Sequence, residues 1–187
     1  MKKIFLIHGW KGNSDDAFFP QIKEVLKGSD FEIAAPSLPN SDFPKVSEWL
    51  SVLSDVIGKP NQDTIIVGHS LGGLAVLKFL ESIPEEVKVG RIILVSPIFN
   101  KNINIPKGAE QLVEEWLNQP LDAEKIKKSV LEIIGFFSDD DPLIPLVEEK
   151  VFQNLFGAKT FIEHSQGHYS KKSEHLDVFG ILREIKK

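Results

Sequence analysis

The 187-residue chain contains no cysteine. That excludes disulfides, a thiol nucleophile and any cysteine-based zinc site. Dense basic clusters are missing too. The net charge is −5, and Lys and Arg gather in nothing larger than short pairs such as Lys127-Lys128. Nucleic acid and anionic membrane are therefore not expected as partners. No stretch approaches the roughly 18 apolar residues of a membrane span. The opening has two lysines and then four apolar residues, Ile4 to Ile7, before it breaks at His8. A signal peptide needs an apolar core of about 7–15 residues and a small-residue cleavage site, so this run reads as a strand and the chain as cytoplasmic. Repeats, low-complexity tracts and linkers are also absent. With 42% apolar and 26% charged residues, residues 1–187 are expected to form one domain with a substantial core.

What is present is an alternation of strand-like and helix-like runs. Strand-like runs are Ile4–Ile7, Phe31–Ala35, Ile65–Val67, Arg91–Ser96, Leu131–Phe137 and Thr160–Ile162. Between them lie helical patterns: Ile22, Val25 and Leu26 after Pro20; Val46, Trp49, Leu50, Leu53 and Ile57 after Pro44; Ala109 to Leu117; a short helix capped by Asp122; and Pro145 to Phe156. A terminal helix capped by Ser170 is expected to turn Leu176, Phe179, Leu182 and Ile185 inward. Such alternation is the mark of a parallel sheet with crossover helices. Ligand sites in these sheets lie outside the carboxyl ends of the strands. The pieces that end strands are His8-Gly9-Trp10, Gly68-His69-Ser70-Leu71-Gly72, Ser96-Pro97, Ser138 to Pro142 and Ser165 to His168.

The chain is organised around Asp63 to Leu80, DTIIVGHSLGGLAVLKFL. A β-branched strand runs into G-x-S-x-G, and a helix follows at once. This is the pattern of a nucleophile elbow. The serine sits on a sharp strand-to-helix turn. Side chains two positions either side of it would collide with neighbouring backbone, so glycine is required at 68 and 72. The turn lifts the Ser70 hydroxyl above the sheet, at a helix N-terminus where the Leu71 N–H can meet an oxyanion. A bare G-x-S-x-G is often only a turn, and the flanking strand and helix separate the two readings.

An acyl-transfer serine needs a base, and the base needs an orienting carboxylate. The order in this architecture is Ser, acid, His. Asp141 and His168 lie on late strand-end loops in that order. Asp139 and Asp140 compete with Asp141. Pro142 favours Asp141 because it restricts the preceding backbone. Three consecutive carboxylates also suit a weak Ca²⁺ site or a solvated turn. His164 is the rival base and reads as an edge residue. His69 should point away from the cleft, His8 should hold its loop by hydrogen bonds, and His175 reads as surface. No histidine spacing suggests a metal site. A second oxyanion donor is expected from Trp10, because Gly9 allows close backbone approach.

Taken together, His8-Gly9-Trp10, the elbow, Ser138-Asp139-Asp140-Asp141-Pro142-Leu143-Ile144-Pro145 and Gly167-His168 resemble the small α/β-hydrolases of the YdeN and retinoblastoma-binding-protein type. The resemblance covers nearly the whole chain. It implies a compact α/β-hydrolase fold of about six parallel strands with helices on both faces and no large cap domain. It also implies a serine hydrolase with Ser70 as nucleophile, Asp141 as acid and His168 as base, needing no metal or organic cofactor. A small-molecule or short-peptide substrate is expected, an ester, thioester or amide. The retinoblastoma-binding motif of an animal relative needs a cysteine, so that partner is not carried over. Two alternatives stay open: a catalytically weak binding protein on a hydrolase scaffold, and a C–C or C–halogen hydrolase or lyase using the same elbow.

Overall fold

The structure is a computed structural model that describes residues 2–118, 120–170 and 176–187. Its strands are β1 (Lys2–Ile7), β2 (Phe31–Ala34), β3 (Thr64–His69), β4 (Val89–Val95), β5 (Val130–Ser138) and β6 (Lys159–Glu163). They form one sheet in the order β2-β1-β3-β4-β5-β6. Every neighbouring pair is parallel. The helices are α1 (Phe19–Leu26), α2 (Val46–Ile57), α3 (Leu71–Ser82), α4 (Glu110–Trp116), α5 (Ala123–Ser129), α6 (Val147–Phe156) and α7 (Phe179–Ile185). This is the α/β-hydrolase architecture in compact form.

Strand side chains alternate between two apolar layers, as a pleated ribbon demands. Ile4, Leu6, Ile65, Val67, Ile93 and Val95 face a layer closed by α1 and α7. Phe5, Ile7, Ile66, Ile92, Leu94 and Phe137 face the opposite layer, with buried side chains of α2, α3, α5 and α6. β3 is buried along its whole length, which explains why it reads as continuous β-branched residues rather than as an alternation. Trp49 of α2 and Trp116 of α4 meet edge to face at 5.3 Å. The Trp116 indole also donates to the Pro44 carbonyl at 2.9 Å. That contact ties the long connection between β4 and β5 down onto α2. No helix among the described residues is long and apolar enough to cross a membrane.

Some expectations needed correction. Val25 is 51% exposed, because α1 begins at Phe19 and its inner stripe is Phe19, Ile22 and Leu26. The terminal helix starts at Phe179 with Val178 as its cap, not at Ser170. Its inner face is Ile181, Leu182 and Ile185, while Phe179 points out and is 70% exposed. Between Ser170 and that helix, His175 lies outside the described residues. The Asp122 cap is present: its carboxylate accepts the Lys125 N–H at 3.0 Å.

Topology decides where a site can form. From β1 the chain moves to β2 on one side, and it later returns to β3 on the other side of β1 and continues outward to β6. The connections therefore leave β1 and β3 in opposite directions and open a crevice at their carboxyl ends. His8-Gly9-Trp10 and Ser70 border that crevice.

Candidate active site

Ser70 follows directly on β3 and precedes α3, with φ +54° and ψ −120°. A non-glycine residue there stores backbone strain. The surrounding contacts hold it: the Ser70 N–H donates to the Val95 carbonyl at 3.0 Å, and its carbonyl accepts from Gly73 and Ile98. The flanking glycines are required by space. A Cβ on Gly68 would lie 2.9 Å from the Gly73 Cα, and one on Gly72 would drive into the carbonyls of Ile7 and His8.

The Ser70 hydroxyl lies 2.8 Å from His168 Nε2. His168 Nδ1 lies 2.9 Å from Asp141 Oδ2 and 3.1 Å from Oδ1. An ionised carboxylate only accepts, so the proton of neutral His168 sits on Nδ1 and the Nε2 lone pair faces Ser70. The Asp141 side chain is almost wholly buried, 1% exposed. Burial pushes its carboxyl up, but hydrogen bonds from His168, Ser96 and the Leu143 N–H outweigh this and hold it below the usual aspartate value. Its stabilising effect is therefore present above the ordinary value and lost as pH falls through the depressed one.

The three consecutive aspartates each hold a different part of the loop after β6. Asp139 accepts His164 Nδ1 at 2.6 Å and the Ser165 N–H at 2.9 Å. Asp140 accepts the Ser138 hydroxyl at 2.6 Å and the Gly167 N–H at 2.7 Å, both through Oδ1. Asp141 takes His168. The loop that carries His168 is thus held carboxylate by carboxylate against the end of β5. His164 points into solvent, its side chain 85% exposed.

The Asp139–His164 pair yields a test. Hydrogen bonding to Asp139 raises His164 above its ordinary 6.5, and the same bond lowers Asp139 below 3.8. The aspartate's contribution is present above 3.8 and lost as pH falls through its lowered value. The histidine's is present below 6.5 and lost as pH rises through its raised value. In an NMR titration the His164 ring should titrate above 6.5, and Asp139→Asn should bring its midpoint back down. An unchanged midpoint would show that the pair does not hold in solution.

On the other side of the crevice, Gly9 abuts the elbow. A Cβ there would sit 3.0 Å from Ser70 Cβ and 3.6 Å from the Leu71 nitrogen. His8 orients the next peptide. The Leu38 N–H donates to His8 Nε2 at 2.8 Å, so Nδ1 carries the proton and donates to the Gly9 carbonyl, also at 2.8 Å. That carbonyl accepts the Gly12 N–H as well. In a trans peptide the N–H points opposite to the C=O, so the Trp10 N–H faces away from His8. Neither the Trp10 nor the Leu71 N–H has an acceptor among the described residues. Two such unclaimed donors beside the Ser70 hydroxyl can serve an oxyanion. The Trp10 indole is pinned to the Asp42 carbonyl at 2.8 Å. It lines an open cleft of about 250 Å³ with Phe43, Pro44, Lys45 and Leu112. A larger hollow, about 410 Å³ among Lys2, Asp63, Gly90, Arg91 and Glu132, lies at the amino-terminal ends of the strands, away from all these groups.

Two residues of the site were not foreseen as participants. Ser96, at the end of β4 with φ +43°, donates to Asp141 Oδ2 at 2.6 Å. His69, expected only to point away from the crevice, is buried, and its Nε2 lies 2.8 Å from the His168 carbonyl. Only the position of Ser96 at a strand end hinted at the first, and no local signal marks the second.

Comparison with known proteins agrees with this architecture. A family model described as serine hydrolase matches residues 4–182. The Bacillus subtilis protein YdeN is 29% identical over 168 residues, 90% of this chain and 86% of that protein. The rat (Rattus norvegicus) serine hydrolase RBBP9 is 27% identical, with 90% of this chain and 82% of that protein covered. The crystal structure of the B. subtilis ydeN gene product superposes with a TM-score of 0.87 at 26% identity, covering 100% of this chain and 99% of that one.

Proposed function

Because the chain belongs to the serine hydrolase family, we propose that it cleaves small esters, thioesters or amides through Ser70, His168 and Asp141 by way of an acyl-enzyme. The observation that carries this reading is the unbroken chain of hydrogen bonds from the Ser70 hydroxyl, through both ring nitrogens of His168, to Asp141.

His168 Nε2 takes the Ser70 proton as Oγ attacks the carbonyl carbon. The Trp10 and Leu71 N–H groups hold the tetrahedral oxyanion; one such donor contributes about 10²–10³ in rate. Asp141 keeps the Nδ1–H tautomer and stabilises the imidazolium. The protonated His168 then gives its proton to the leaving group, which departs and leaves the acyl group on Ser70 Oγ. Water enters, loses a proton to His168 as it attacks, and releases the acid. The ring returns that proton to Ser70.

The open cleft beside Trp10 and the anchored β4–β5 connection favour small substrates, with no large cover over the cleft among the described residues. Short p-nitrophenyl esters should turn over faster than long-chain ones, without a jump in rate at a lipid–water interface. Steady-state kinetics across a chain-length series, below and above the critical micelle concentration, checks this. Interfacial activation would overturn the small-substrate reading.

A further inference from the structure

The loop that carries His168 is held from the β5 side by the three aspartates. Besides the Ser70–His168 hydrogen bond, the elbow also reaches the main chain of this loop. His69 Nε2 meets the His168 carbonyl at 2.8 Å across 99 residues of sequence. A carbonyl can only accept, so the His69 proton resides on Nε2. The ring is buried and packed edge to face on Phe18 at 5.7 Å. Its centroid is 5.1 Å from that of His168.

We propose that His69, the residue immediately before the nucleophile, is a positioning residue that ties the His168 main chain to the elbow and so fixes the Ser70–His168 distance. This rests on the reading of Ser70 and His168 as nucleophile and base. The backbone of His69 is continuous with that of Ser70, so its side chain acts as a strut of fixed length. One end is covalently joined to the nucleophile, and the other is hydrogen-bonded to the residue that carries the base. A serine–imidazole hydrogen bond tolerates little error, and a displacement of about 1 Å can lower a rate by about 10²-fold.

The strut is also electrically neutral. The titratable groups facing the ring are His168, Asp141 and Asp16. Burial, together with the neighbouring His168, holds His69 down to about 3. It therefore brings no positive charge against the imidazolium that His168 becomes during turnover.

The test uses the whole protein and two variants. His69→Gln keeps a donor near the Nε2 position, and His69→Phe keeps the ring packing but loses the donor. Active sites are counted with a fluorophosphonate, so misfolded molecules do not enter the rate. Per titrated site, His69→Phe should lose about 10²-fold in kcat with KM within about twofold, and His69→Gln should recover most of the loss. A wild-type kcat per site in His69→Phe would overturn the proposal, as would equal impairment of both variants, which would point to packing alone. If the phenylalanine variant does not fold, His69→Asn, too short to reach the carbonyl, replaces it with the same expected result. Labelling of the unmutated protein at Ser70, and its loss in His168→Ala, test the underlying reading separately.

Discussion

Replacing Ser70 by alanine is expected to lower kcat on the order of a millionfold and to abolish fluorophosphonate labelling, while leaving the fold intact. In the proposed mechanism the chemistry depends on one oxygen, 2.8 Å from His168 Nε2. The fold does not depend on it, because the serine side chain makes no helix-capping hydrogen bond. Alanine also inherits the φ of +54°, so the backbone strain stays. Ser70→Gly, free of that strain, should be about 1 kcal/mol more stable than Ser70→Ala yet equally inactive. Intact-mass analysis of probe-treated protein, kcat, and chemical denaturation of the variants separate the two effects. Strong labelling of Ser70→Ala would remove Ser70 from the mechanism.

The second large effect is expected at Asp141. Asp141→Asn should lower kcat by about 10³- to 10⁴-fold, and its hydrogen bonds explain why. Oδ1 accepts the N–H groups of Leu143 and Ile144 at 2.8 and 3.1 Å. In the asparagine variant these donors fix the amide oxygen at that place, so the NH₂ takes the place of Oδ2. It then points at His168 Nδ1 and at Ser96. Facing a donor, Nδ1 must give up its proton and Nε2 must carry one, and that tautomer cannot accept from Ser70. Asp140→Asn is different in kind. Both donors to Asp140 use Oδ1, and an amide oxygen can keep both, so the loss should stay within about tenfold. The measurement is kcat for the two purified variants, with circular dichroism as the folding control. A crippled Asp140→Asn beside an active Asp141→Asn would move the acid by one residue.

Much of this arrangement was legible in the sequence because it is local. The elbow is spelled out in consecutive residues, and the alternation of runs dictates a parallel sheet whose strand ends must converge. Which of three adjacent aspartates reaches His168 is a harder question. It depends on how the 138–142 turn aims each side chain, and the structure sends Asp139 and Asp140 to other parts of the same loop. Ser96 and His69 were out of reach for a related reason. Their partners lie 45 and 99 residues away, and nothing nearby in sequence announces them. The terminal helix was misread because Leu176, Phe179 and Leu182 continue a helical period across a segment that is not all helix. Phe179 shows that an apolar residue in register need not be buried.

His168, the proposed base, follows an edge strand of the sheet. β6 hydrogen-bonds to β5 on one side only, and its Ile162 is 46% exposed, whereas β3 beneath the nucleophile is buried throughout. Edge segments open locally at lower free energy than a central core. Ser70 and His168 therefore belong to regions of unequal local stability, joined by a few hydrogen bonds. On the proposed mechanism turnover needs both the margin and the centre of this protein, whereas cooperative unfolding is governed by its centre. As the temperature rises, the molecule can fall silent while most of it is still folded.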